Sequence, residues 1–462
     1  MRILFLLSFI WQLGVNFLYA DEEHDLKAIQ SLQKAIRFQT VSHDHSQMAY
    51  DEFNAFLNYL KETYPTVFSH YKGEVVEGYS LLLIPLKVEA HFKNYLFLAH
   101  YDVVPISAPK NWTVSPFAGE IKDGFLYGRG ALDDKASLIA CLEAMEAMLK
   151  NSHPVGANVY FAFGHDEEVA GNGARAMAAR LKDLGLFFDL VLDEGGAIVE
   201  GSKLKVSGNL AMVGVAEKGF MVLKLSANEM GGHSSMPPEE TSIEVLAKAV
   251  AKAHAVDFST HLTDPVLQML ENLGLQTENP FKAFFLKNAK WFKPIITFIL
   301  DNNKDTRPMI KTVKATTRIL GGNKVNQLPQ SAQAFIMFRT LPDEDIHQIK
   351  NRIESVIGDT RVTVEIMPGY SNPKQVSRLD TESGKKLISS IKKIYPDVRV
   401  LPYLTMAGTD SRSYAEISKA TYRINPIEIY GKDLSSIHGH DERIKLSSFL
   451  NFIKFYKYMF GP

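Results

Sequence analysis

The chain is nearly without cysteine, having a single one, Cys141, in 462 residues. One thiol excludes an internal disulfide, a disulfide-stapled fold and a zinc ribbon. Any metal must therefore take its ligands from His, Asp and Glu. An excess of either charge is also missing. Lys plus Arg is 51 and Asp plus Glu is 52, giving a formal net charge of −1. That balance excludes a nucleic-acid binder, which carries a basic surplus gathered in a patch. What is present is ordinary: 46% hydrophobic and 22% charged residues describe a globular chain and not a disordered one. At about 150 residues per domain, the length implies two or three domains.

The first twenty residues stand apart. Met1-Arg2 gives a positive start, Ile3 to Trp11 is almost wholly apolar, and Tyr19-Ala20 runs into Asp21-Glu22-Glu23. This is the pattern of a secretory signal peptide with a small residue before the cut, although Leu18 is bulky for its position. Gln12 and Asn16 interrupt the run, and a spanning helix needs roughly 20 apolar residues. The reading is export after removal of residues 1–20, with an uncleaved membrane anchor as the alternative.

Three short apolar runs end in acidic or imidazole groups. Tyr95 to Ala99 leads into His100-Tyr-Asp102, Asn158 to Phe163 into Gly164-His-Asp-Glu-Glu168, and Phe188 to Leu192 into Asp193-Glu194-Gly-Gly196. Continuous apolar runs separated by helical segments predict strands of a sheet covered on both faces. In such a sheet the ligand site lies beyond the carboxyl ends of the strands. His100 and Asp102 are two apart, so both point the same way, and Asp102 can accept the second ring N–H of His100 and fix its tautomer. Glu167 and Glu168 are adjacent and cannot both face one way, which suits one carboxylate on metal and the other as general base. Of Asp133 and Asp134, which precede the amphipathic run Ala136 to Leu149, one can cap the helix while the other reaches a metal. Gly171-x-Gly173-x-x-Ala176 imitates a dinucleotide fingerprint, but His165 to Ala170 intervene after the strand with three carboxylates, and a pyrophosphate would be repelled there.

These motifs, with Gly128-Arg-Gly-Ala-x-Asp133-Asp-Lys135, Glu217-Lys-Gly219, Gly231-Gly-His-Ser-Ser-Met-Pro237, Asn326-Gln-Leu-Pro329, Arg339-Thr-Leu-Pro342, Gly408-Thr-Asp-Ser-Arg412 and His438-Gly-His-Asp-Glu442 in this order, resemble the aminoacylase and carboxypeptidase family of two-zinc hydrolases. The detail is most similar to its carboxypeptidase S and N-acyl amino acid hydrolase branch, and the match runs from about residue 30 to the C-terminus. The resemblance implies that His100, Asp133 and Asp193 hold one metal and Asp133, Glu168 and His438 the other. Asp133 would bridge, and a metal-bridging water would be activated by Glu167, with Asp102 behind His100. The register of Asp441 and Glu442 selects His438 over His440. Two Zn2+ ions suit these thiol-free ligands, with Mn2+ or Co2+ as substitutes in vitro.

Residues 213–372 differ in texture from their flanks, and their alternation of strands and helices predicts a small sandwich of one sheet and two helices. The resemblance implies an α/β catalytic domain split between 21–212 and 373–462, its mostly parallel sheet covered by helices. The inserted α+β sandwich would be a lid or a dimerisation domain, through which a homodimer could form. His233 would stabilise the oxyanion. Asn326, Arg339, Gly408 and Thr409 would bind the substrate carboxylate, for which the planar fork of arginine is suited. Pro280 to Leu300 interleaves Phe281, Phe284, Phe285, Trp291, Phe292 and Phe298 with Lys282, Lys287, Lys290 and Lys293. It resembles an interfacial amphipathic helix kinked at Pro294. Its apolar side is expected to pack on the rest of the lid or to line an entrance for a fatty acyl or bulky aromatic group. The implied activity is hydrolysis of the amide bond next to a C-terminal amino acid, in a short peptide or an N-acyl amino acid. The alternatives are a reversible synthase/hydrolase and a non-catalytic exported binding protein on the same fold.

Overall fold

A computed structural model describes residues 23–43, 48–204, 206–371, 375–431 and 433–462. The expected signal peptide lies outside these. The larger sheet runs in the order Tyr71–Val76, Ser80–Pro85, Asn158–Gly164, Asn94–His100, Leu190–Asp193, Thr421–Arg423, Asn209–Glu217, Arg399–Thr405, with Ile198–Glu200 paired on Asn209–Glu217. Its four central strands, Asn158–Gly164 to Thr421–Arg423, are parallel, and Arg399–Thr405 is parallel to Asn209–Glu217. The outer hairpin Tyr71–Val76/Ser80–Pro85 is antiparallel.

The apolar runs are continuous because both sheet faces are covered. Tyr95, Phe97 and Ala99 point to one side, into a core shared with the helices Lys135–Lys150 and Leu446–Phe460. Leu96 and Leu98 point to the other, against Ala174, Met177 and Leu181 of the helix Gly173–Asp183. A strand buried on both faces has no polar position to alternate with. Cys141 is buried in the helix Lys135–Lys150.

A second sheet is all antiparallel, in the order Val313–Gly321, Ser331–Thr340, Gly219–Asn228, Val362–Ile366. It lies in the sequence between strands of the larger sheet. The helices Ser242–Ala255 and Ile346–Ile357 cover one face of it and form a separate apolar core with it. The first is started by a capping box between Thr241 and Glu244, the second by Asp345 accepting from the backbone of His347 and Gln348. Each cap satisfies amide donors that a helix start leaves orphaned.

The aromatic-basic segment departs from expectation. It forms two short helices, Pro280–Lys287 and Lys293–Asp301, and Pro294 starts the second instead of kinking one. As expected it packs within the inserted stretch, on the helix Asp264–Gln276, although away from the antiparallel sheet. Leu286, Ala289, Phe292, Ile296 and Leu300 join a core with Leu210, Ala216, Leu401 and Leu404 of the larger sheet, and the opposite face is left exposed. Among the described residues no helix is long and apolar enough to cross a membrane.

Candidate metal centre and active site

The three parallel strands of the sequence analysis are neighbours, with His100 in register with Gly164 and Phe97 with Leu192. Their carboxyl ends therefore deliver His100, the Glu167–Glu168 pair and Asp193-Glu194 to one place. Asp102 organises the first two. Its Oδ1 stands 3.2 Å from His100 Nδ1, and its carboxylate accepts from the backbone N–H groups of Glu167 and Glu168 (3.1 Å each) and from Ser42 Oγ (2.8 Å). One carboxylate thus orients an imidazole and holds the helical turn Glu167–Val169 against it.

Asp133 lies at the centre. Its Oδ1 is 2.9 Å from His100 Nε2 and its Oδ2 is 3.0 Å from His438 Nε2. Glu194 Oε1 is 3.4 Å from His100 Nε2, and Glu168 Oε2 is 3.1 Å from His438 Nε2. Two groups result, His100/Asp133/Glu194 and Asp133/Glu168/His438, each with its donor atoms within 4.8 Å of one another. Asp134 faces away: its carboxylate accepts from Ser137 Oγ and Asn425 Nδ2. His440 Nε2 is 3.1 Å from Ser107 O, outside both groups.

One expected ligand is placed differently. Asp193 is buried, with Oδ2 accepting from Ser411 N (2.7 Å) and Oδ1 from Glu194 N (2.9 Å). It braces the loop after Thr409, and the carboxylate that reaches His100 is that of Glu194. Adjacent carboxylates at a strand end cannot face one way, as with Glu167 and Glu168, so alternation signals that one of Asp193 and Glu194 turns from the metals but not which one.

The charge distribution fits metal. Burial, and then the charge of Asp133, push the Glu194 carboxyl up to about 8. Hydrogen bonds to Asp133 and Glu168 push His438 up to about 10. Burial raises Glu168 as well. Cations bound at such a group displace the protons that its carboxylates and imidazoles would otherwise take up. Three carboxylates and two imidazoles, with one carboxylate facing both imidazoles, form a donor set for two borderline or hard divalent ions. Glu167 lies beside this set. Burial, with Asp410 and Glu194 adding repulsion, holds its carboxyl well above the usual range against the pull of His100. That environment suits a group that takes and returns a proton.

A buried ion pair fixes the loops that carry Asp133 and His438. Glu442 accepts from Arg129 Nη1 (2.6 Å), Gly130 N (3.0 Å), Leu132 N (2.8 Å) and Asp133 N (3.2 Å), while Arg129 Nη2 donates to Gly439 O (2.9 Å). Gly130 has φ +88°, and a Cβ there would stand 2.9 Å from Val103 Cγ1, so the loop needs glycine at that point. Removing one partner of a buried pair strands the other charge. Glu442→Ala is expected to cost about 3–5 kcal/mol, read as a fall in the denaturant midpoint. A midpoint equal to that of the parent chain would remove this pair from the account.

A second cluster of charge faces Gly408. A Cβ on Gly408 would lie 2.4 Å from Arg412 Nη1, 3.2 Å from Arg339 Nη1 and 3.3 Å from Glu217 Oε1. Arg339 comes from the strand Ser331–Thr340, its guanidinium 5.0 Å from the Phe220 ring, and its buried Nη1 has no hydrogen-bond partner among the described residues. Arg412, quoted within its motif but given no role by the sequence analysis, is the second guanidinium here. Thr409 is committed elsewhere: its N–H donates to Glu217 Oε1 (3.0 Å) and its hydroxyl lies 3.4 Å from Glu217 Oε2. Glu217 is in turn paired with Arg423 (3.0 Å). His233 sits on the ribbon formed by Gly232–His233 and Gln327–Leu328, and Asn326 in the turn that leads into it. Both are exposed; His233 Nδ1 lies 2.7 Å from Ser235 Oγ, and the backbone carbonyl of Asn326 accepts from Ser234 N.

Fold and site together define a hydrolase-like α/β frame in which Asp133 is shared by two groups of candidate metal ligands. The model of the peptidase family M20/M25/M40 matches residues 96–460, and the chain belongs to that family of hydrolases. It is 34% identical over 443 residues to the N-fatty-acyl-amino acid synthase/hydrolase PM20D1 of Bos taurus, covering 94% of this chain and 87% of that one. It is 34% identical over 441 residues to the probable carboxypeptidase S-like 2 of Dictyostelium discoideum, covering 94% and 85%. Among solved structures, the M20 family metallo-carboxypeptidase Sso-CP2 of Sulfolobus solfataricus shares the fold with a TM-score of 0.66 at 19% identity, covering 94% of this chain and 98% of that one.

Proposed function

We propose that the protein hydrolyses the amide bond between an acyl group and an amino acid that bears a free carboxylate, with two zinc ions as cofactors. The observation that carries this reading is the buried Nη1 of Arg339, without a partner among the described residues, beside Arg412 at Gly408. A buried guanidinium donor without an acceptor is costly and marks the place of an anion. Both relatives named above act, by their names, on molecules of this class.

His100, Asp133 and Glu194 would hold one ion, and Asp133, Glu168 and His438 the other. When bound, such ions polarise a carbonyl and make water acidic near neutral pH. The chain's own residues do the rest. Arg339 and Arg412 hold the leaving amino acid by its carboxylate, which aligns the scissile bond with Glu167. Glu167 accepts a proton from the attacking water and hands it to the leaving amine. Asp102 keeps His100 in one tautomer and Glu167 in place throughout. His233, in this reading, serves the oxyanion only when the lid moves or a second copy presents it. Homodimerisation would use the exposed edge strand Val313–Gly321. The protein works outside the cytosol, a reading that rests on residues 1–20.

Arg339→Ala is expected to raise KM for N-acyl amino acids at least ~10-fold, with a smaller change in kcat, since truncation leaves a charged hydrogen bond unmade. An unchanged KM would detach Arg339 from substrate. A series of dipeptides and N-acyl amino acids of rising acyl length then identifies the acyl half, and a preference for acetyl over long chains would exclude the fatty-acyl form of the proposal.

A further inference from the structure

The two helices of residues 280–301 bury one face and present the other. The inner face is Leu286, Ala289, Phe292, Ile296 and Leu300. The outer face carries Phe281, Phe284, Trp291, Ile295, Phe298 and Ile299, all exposed, with Trp291 at 85%, Phe281 at 76% and Phe298 at 70% of full accessibility. Among the exposed large apolar residues this is the densest run in the sequence, and it is too large a patch to be left to water without a use. Lysines frame it. Lys287, Lys290 and Lys293 are exposed, Lys282 is half-buried, and residues 280–300 contain no Asp or Glu. Lys290 has one distant acidic neighbour, Glu271 at 3.7 Å, and remains largely exposed there.

We infer that this face docks the protein on an anionic phospholipid surface. Large side chains standing singly off two short helices, with Trp and Phe at the tips and Lys at the flanks, have the chemistry of an interfacial segment. The rings enter the boundary between headgroups and acyl chains while the ammonium groups meet lipid phosphates. The same features disfavour a second copy of this chain as occupant. A two-fold contact sets a patch against itself, and here that would bring lysine against lysine, with Glu271 beside Lys290 and Asp301 at the far end of the second helix as the neighbouring carboxylates. The inference concerns attachment and is independent of the reaction at Glu167.

Among the three tryptophans, Trp112 is buried and Trp11 lies outside the described residues. In a Trp11→Phe background of the full chain, Trp291 therefore reports on this face. Vesicles of equal parts phosphatidylcholine and phosphatidylglycerol are expected to shift its emission to the blue and to sediment the protein. Vesicles of phosphatidylcholine alone bind at least ~10-fold more weakly, and salt narrows the difference. The triple variant Phe281→Ser, Trp291→Ser, Phe298→Ser, all exposed positions, keeps its melting temperature and metal content. Its sedimentation with anionic vesicles falls at least ~10-fold. Equal sedimentation of variant and parent would overturn the inference by moving attachment to another segment. So would absence of binding by the parent, or conversion of a parent dimer to a monomer by the triple substitution, which would make the face a contact between copies.

Discussion

Glu167→Gln is expected to retain both metals and to lose at least ~10²-fold in kcat. The substitution preserves shape and removes a carboxylate beside the donor set that can take a proton. Glu167 is not among the residues grouped around Asp133, so the metal content should be two per chain in parent and variant alike. Its backbone N–H, which Asp102 accepts, survives the change, so the turn Glu167–Val169 stays in place. Loss of kcat and kcat/KM together is the signature of a group acting in the transition state. Near-normal turnover with full metal occupancy would take Glu167 out of the mechanism.

Glu194→Ala and Asp193→Asn are expected to separate two adjacent carboxylates by role. Glu194 reaches His100 and Asp133, so its truncation should weaken one metal by more than ~10²-fold, beyond the 10- to 100-fold typical of a supporting residue. One ion per chain would then remain after dialysis. Asp193 accepts from two backbone N–H groups. An asparagine there can accept from one and confronts the other with its own NH2, at a cost of about 1–3 kcal/mol in stability. Its metal count should stay at two while its melting temperature drops. The reverse pattern, one metal in Asp193→Asn and two in Glu194→Ala, would return the ligand role to Asp193.

The contrast shows what the sequence makes legible. The three buried strands could be read because both faces of the sheet are apolar, and their carboxyl ends marked the site because open parallel sheets bind there. Spacing along a strand placed His100 and Asp102 on one side. It does not tell which of two consecutive acids turns inward where the strand gives way to a loop. At Asp193-Glu194 that choice is made by Ser411 N, a donor 218 residues away in the chain. Contacts of that range explain the other differences. Thr409 reads as a free donor until Glu217 accepts its N–H and Ser411 Oγ comes within 2.6 Å of its hydroxyl. Arg412 gains meaning only beside Arg339, which reaches it from the other sheet. Glu442 looks like a marker of register for His438, yet it carries the loop of Asp133 through four hydrogen bonds. The aromatic segment was readable as amphipathic, but which surface its inner face meets depends on where the strand Arg399–Thr405 lies.

The central claim is that a free carboxylate on the leaving amino acid is held by Arg339 and Arg412 while Glu167 moves the proton. It is tested most directly by comparing an N-acyl amino acid with its methyl ester on the zinc-loaded protein. The account predicts release of the amino acid from the first and a kcat/KM at least ~10²-fold lower for the second, in keeping with a site whose buried donors are left unpaired. Equal rates on both, or no release from either with two zinc ions bound, would contradict it.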